Sequence, residues 1–141
     1  LVPAGKLVIF TSTPEQMAGY WLNYYFPEMM KKSIREMPSL KVVQNALYTA
    51  GFKLTKVEPY FVDPDLQDLF LQSGKRQPEL YLRPEVRSGI STFAALSNKQ
   101  EVEKGLARLQ EDIKSGKINE VISTFENTEG DYLFLQAEKP L

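Results

Sequence analysis

The sequence predicts a helix-rich α/β domain built on a small sheet. Three observations carry that reading. Residues 6–11 hold the consecutive apolar run Leu7-Val8-Ile9-Phe10, the signature of a short strand with neighbours on both faces. Residues 39–61 pass from helical spacing through Gly51 directly into a strand-like run, the succession of an α/β unit. A third strand pattern, Tyr132-Leu133-Phe134-Leu135-Gln136-Ala137, follows Gly130-Asp131 near the end of the chain. The strands are therefore expected near 6–11, 52–61 and 131–138, with helices between them.

Each intervening element has a local cause. Thr13-Pro14-Glu15-Gln16 combines a hydroxyl N-cap, proline at the first helical position and glutamine three residues after the cap, so a helix is expected from Pro14 towards Phe26. Pro27 lacks the backbone donor a continuing helix would use, so a break is expected there, with a second helix running to Met37. Ser39 caps the next helix, where Val42, Val43, Ala46, Leu47 and Ala50 recur at helical spacing before Gly51 ends it. Pro59 assigns the following strand to a sheet edge or a local distortion. Asp63-Pro64-Asp65 is expected to open a short helix with Leu66, Leu69 and Phe70 inward, ended by Ser73-Gly74. Residues 75–89, with Pro78 and Pro84, are expected to be irregular or only briefly helical. Beyond them, Ser97-Asn98-Lys99-Gln100 reads as a capping box ahead of the stripe Val102, Leu106, Leu109 and Ile113. A last helix places Ile118, Val121, Ile122 and Phe125 on one face.

Composition narrows the function classes. The 141 residues suffice for one domain, and 43% hydrophobic with 25% charged residues is the balance of a folded globular chain. A net charge of −1 gives no general attraction to a polyanion, so nucleic acid is not an expected partner. No apolar run is long enough to span a bilayer, so a membrane partner is not expected either. The chain has no cysteine and no histidine, which removes thiol nucleophiles, disulfides, Cys or His zinc sites and histidine acid–base schemes. A cytoplasmic location is the reading that fits the missing cysteines.

Candidate binding residues fall into three groups. Thr11 and Ser12 stand at the exit of the first strand, and ligands of open α/β sheets bind beyond the carboxyl ends of strands; helix capping explains Ser12 and Thr13 equally well. Tyr20, Trp21, Tyr24 and Tyr25 belong to an aromatic run that covers nearly all sides of a helix, so some rings are expected to face a pocket. Packing between that helix and the later helical segment accounts for the same residues. Arg87 is the member of the basic loop group Lys75, Arg76, Arg83 and Arg87 best placed to clamp an anion, while Glu79 and Glu85 can neutralise the group. Asp63, Asp65 and Asp68 read as cap and first-turn residues, with no calcium-loop spacing, so no metal is expected.

The opening Leu1-Val2-Pro3-Ala4-Gly5, leading into the first strand, resembles the Leu-x-Pro-Gly-Gly-like turn before the fifth strand of class I S-adenosylmethionine-dependent methyltransferases, with Ala4 in place of a glycine. The segments Gly51-Phe52-Lys53-Leu54-Thr55-Lys56-Val57 and Gly130–Ala137 are similar to the last two, antiparallel strands of that family. The resemblance implies a partial Rossmann-like fold, a three-stranded mixed sheet with the last strand central and antiparallel to both others. It implies one domain, the C-terminal, substrate-side portion of the enzyme, with residues 63–127 as a helical substrate-side insertion. The parent would use S-adenosylmethionine to methylate a small molecule. This portion, lacking the Gly-rich turn and the acidic residue that hold the cofactor, is expected to carry no cofactor and no activity of its own. A non-catalytic binding or dimerisation module retaining half of the fold is the alternative. In either case the first strand would be left with an open apolar edge, so a homodimer through residues 6–11 is expected.

Overall fold

The structure is a computed structural model that describes residues 2–141; Leu1, the first residue of the opening turn, lies outside them. Three strands form one sheet: β1 (Lys6–Thr11), β2 (Lys53–Tyr60) and β3 (Tyr132–Glu138), in the spatial order β1-β3-β2. β3 is antiparallel to both neighbours, with Ile9 opposite Leu135, Phe10 opposite Phe134 and Val57 opposite Leu135. The central, antiparallel last strand is thus observed, and Pro59 does lie on an edge strand. Before β1, the Gly5 N–H bonds to the Val2 carbonyl at 2.9 Å, and Ala4 adopts φ +64° in a turn position that favours glycine.

The helices are α1 (Pro14–Ala18), α2 (Leu22–Tyr25), α3 (Pro27–Glu36), α4 (Leu40–Thr49), α5 (Pro84–Ser88), α6 (Ser91–Leu96), α7 (Lys99–Ser115) and α8 (Lys117–Thr124). Two 3-10 turns, Ser73–Lys75 and Pro78–Leu82, precede α5. The expected break at Pro27 is present, but the helix before it is interrupted as well. The Gly19 N–H folds back on the Glu15 and Gln16 carbonyls, both at 3.2 Å, and ends α1 after five residues.

Other differences have equally local causes. No helix follows Asp63-Pro64-Asp65: the Asp63 carboxylate accepts the Asp65 N–H at 2.9 Å in a tight Asx-type turn, and Leu69 is half exposed instead of inward. Asn98, not Ser97, caps α7, its side-chain oxygen accepting from the Gln100 and Glu101 N–H groups. On α4 only Leu47 is fully buried, while Val42, Ala46 and Ala50 face outward, because the helix packs mainly against β2.

The main hydrophobic core lies in the helical part of the chain. It gathers Trp21, Tyr25, Phe26, Met29 and Met30 with Tyr81, Phe93, Leu109, Ile118 and Val121, and among the described residues it includes no strand residue. The sheet buries one face through Leu133, Leu135 and Ala137 and leaves Val8, Phe10 and Phe134 of the other face exposed. Helical body and sheet therefore meet at the strand ends, where the chain passes between them.

Candidate functional site

That junction is held by hydrogen bonds. Thr13 and Gln16 form the anticipated capping box, with the Gln16 N–H donating to Thr13 Oγ1 at 3.1 Å and the Thr13 N–H to Gln16 Oε1 at 3.0 Å. The Gln16 amide then reaches the Tyr132 carbonyl at 3.2 Å, tying α1 to β3. Ser12, buried at the strand exit, donates to the Asp131 carbonyl at 3.1 Å, and Thr11 donates to the Ser12 carbonyl at 3.3 Å. Both hydroxyls flagged in the sequence thus lie at the junction and are engaged within the chain.

Asp131 is the centre of the arrangement. Its carboxylate, 2% exposed, receives the Lys75 ammonium at 2.8 and 2.9 Å and the Val62 N–H at 2.8 Å. Gln72 donates to its carbonyl at 3.2 Å and, through its backbone N–H, to the Tyr132 hydroxyl at 3.0 Å. Burying this ion pair is tolerable because the carboxylate gains a backbone donor as well as the ammonium. Sequence reading places Lys75 in a solvated or locally paired loop, and its partner lies 56 residues away, beyond the reach of local pattern.

Beside this junction is a cleft of about 770 Å³, set between α1, the start of α4 and the carboxyl end of β2. Leu40, Val57, Pro59 and Leu133 make an apolar floor; Thr13 and Gln16 form one wall, and Glu15, Lys41 and Glu129 stand among the lining residues. Gly130, at φ +89°, lets the chain pass so close to Pro59 that a Cβ there would lie 2.8 Å from the proline ring. An apolar floor with a few polar groups suits a small organic molecule. Neither a thiol nor an imidazole is present, and no cluster of three metal-ligating side chains exists among the described residues.

The other candidates sit elsewhere, and none lines the cleft. Tyr20, Trp21 and Tyr25 are core residues. The Tyr20 hydroxyl meets that of Tyr81 at 2.5 Å, the Trp21 indole donates to the Lys75 carbonyl at 3.3 Å, and Tyr25 donates to Asp112 at 2.7 Å. Burial pushes the Tyr20 phenol well up, and burial reinforced by the Asp112 carboxylate does the same for Tyr25. Tyr24 is half-buried at the edge of the helical core, where the Lys117 ammonium, with the Arg108 guanidinium 4.7 Å from the ring centre, favours its phenolate and lowers its pKa. Arg87 donates to the Tyr81 carbonyl at 2.7 Å, while Arg76 and Arg83 pair with Glu126 and Glu85.

Comparison with solved structures finds one strong likeness. Over 94% of its length the chain is similar, at 35% identity and a TM-score of 0.75, to a crystal structure from Anabaena variabilis provisionally described as a methyltransferase from an antibiotic biosynthesis pathway. The match covers 54% of that chain, so the present sequence spans about half the length of its neighbour. No protein-family model and no curated protein matches significantly. The sheet order and this likeness together support a partial, Rossmann-like methyltransferase fold.

Proposed function

We propose that the chain is the substrate-side portion of an S-adenosylmethionine-dependent methyltransferase that acts on a small molecule. The observation that carries this reading is the sheet order β1-β3-β2 with a central antiparallel strand, supported by the 35% identity to the Anabaena protein. The residues present do not fit the cofactor. Its binding calls for a Gly-rich turn after a strand, whereas the eight glycines here are scattered, and the one βα exit, at β1, is closed by Ser12, Thr13 and Gln16. The chain's own part is to bind and orient the acceptor and to exclude water from it, contributions that need neither histidine nor metal. The cleft floored by Leu40, Val57, Pro59 and Leu133 is the part of the chain suited to that work.

The test joins this chain to the portion of the Anabaena protein that it does not cover and follows methyl transfer to small-molecule acceptors. Transfer by the fusion, reduced when the cleft floor is blocked by Val57→Trp, is the expected result. A fusion that folds and transfers methyl groups equally well with a blocked cleft would remove the acceptor-binding role. A non-catalytic assembly module is the second reading, and the place of β1 at a sheet edge favours it.

A further inference from the structure

On the sheet face opposite the cleft, a pocket of about 360 Å³ is lined by Phe10, Tyr60, Leu66, Asp68, Phe70 and Phe134. Four of these six residues are aromatic. Phe10 stands at the centre, edge-on to Tyr60 at 5.6 Å and to Phe70 at 5.5 Å, with Phe134 tilted against it at 4.9 Å. Tyr60 and Phe134 meet at 83°, so the walls turn ring faces in several directions. Phe10 and Phe134 remain 40% and 38% exposed, an unusual amount for phenylalanine in a paired sheet.

The charge of the site is one-sided. Asp68 is its only ionisable lining residue apart from the Tyr60 phenol, and among the described residues no ion pair engages its carboxylate. The nearest cation on this face by strand register is Lys56, which is paired with Glu58 at 3.1 Å. Aromatic ring faces attract cations through their quadrupole, and a carboxylate adds to that field. A cation clothed in methyl groups loses little hydration on entering such a pocket and also covers the apolar rings. A bare ammonium would lose more, and an anion would be repelled.

We propose that this pocket binds a small organic cation with a methyl-substituted ammonium head. The site is separate from the cleft and does not depend on the methyltransferase reading. The experiment titrates the chain with choline and with its neutral tert-butyl isostere, reading the ring and amide resonances of the lining residues. Choline is expected to saturate the site about tenfold more tightly than the isostere, the cation–π contribution for a partly desolvated group. Phe10→Leu and Asp68→Asn should each weaken choline at least about threefold, and added salt should weaken it in the native chain and not in Asp68→Asn. Both changes are at exposed positions, and circular dichroism checks that the variants fold. Equal affinity for choline and isostere would overturn the proposal and leave an apolar groove. Absence of any saturable shift would overturn it too, and so would self-association through these rings that choline does not relieve.

Discussion

Replacing Asp131 by asparagine tests the junction between sheet and helices more sharply than any other single change. The carboxylate is 2% exposed and its partner Lys75 4%, so the substitution leaves an ammonium buried without a counter-charge. Removing one member of a buried pair costs about 3–5 kcal/mol. Asparagine still offers an oxygen to the Val62 N–H, so a value near the lower end, about 3 kcal/mol, is expected. Against a total stability of about 5–15 kcal/mol the variant should still fold. With a urea slope of about 2 kcal/mol/M the midpoint should fall by about 1.5 M at unchanged slope. Lys75→Met should cost a similar amount, because it strands the carboxylate. The double variant should cost less than the sum, with a coupling of about 2 kcal/mol or more. Single losses below about 1 kcal/mol, or strict additivity, would refute the role given to the pair.

Five further outcomes are expected. Gly105→Ala should destabilise by about 1–3 kcal/mol although alanine is the better helix former, because its Cβ would lie 2.5 Å from the Tyr25 carbonyl oxygen and run into the Phe26 ring; thermal unfolding measures it. Ala4→Gly should stabilise by up to about 1 kcal/mol by relieving the left-handed φ of +64°, read from the same curves. Burial raises the pKa of Tyr20 and Tyr81, so above pH of about 10 the unfolded chain has lost protons that the native chain keeps. Stability should then fall with rising pH, by about 1.4 kcal/mol per unit for each of these two phenols, and denaturant titrations from pH 8 upward follow it. Tyr24 should be the first phenol to ionise in an ultraviolet titration, a phase absent from Tyr24→Phe. Finally, β1 is an edge strand with Val8 63% exposed, so Val8→Lys should shift any self-association through residues 6–11 towards monomer in a light-scattering dilution series.

What sequence reading recovers here is whatever has a short-range cause. The run Leu7-Val8-Ile9-Phe10 marks β1, Gly51 at φ +86° ends α4, and the spacing of Thr13 and Gln16 forecasts a capping box that is present. The same logic fails at Asp63-Pro64-Asp65, where cap chemistry closes a turn without a helix behind it. It also overstates burial on α4, because helical spacing marks an apolar stripe but not what covers it, and Val42 is left 55% exposed. The site itself is the least legible part. Lys75 meets Asp131 only through tertiary folding, and the cleft floor joins Leu40, Val57, Pro59 and Leu133 from three separate elements. The aromatic residues that look most like a binding wall, Tyr20, Trp21 and Tyr25, are instead the centre of the helical core. Their number reflects the volume to be filled between α2, α7 and the 3-10 turn that carries Tyr81.

The central claim is that the chain supplies the acceptor side of a methyltransferase and not its cofactor site. Its most direct test is calorimetric titration of S-adenosylmethionine into this chain and, side by side, into its fusion with the uncovered portion of the Anabaena protein. No tight binding by the chain alone and clear binding by the fusion is the expected pattern. A micromolar dissociation constant for the chain alone, about −8 kcal/mol, would contradict it.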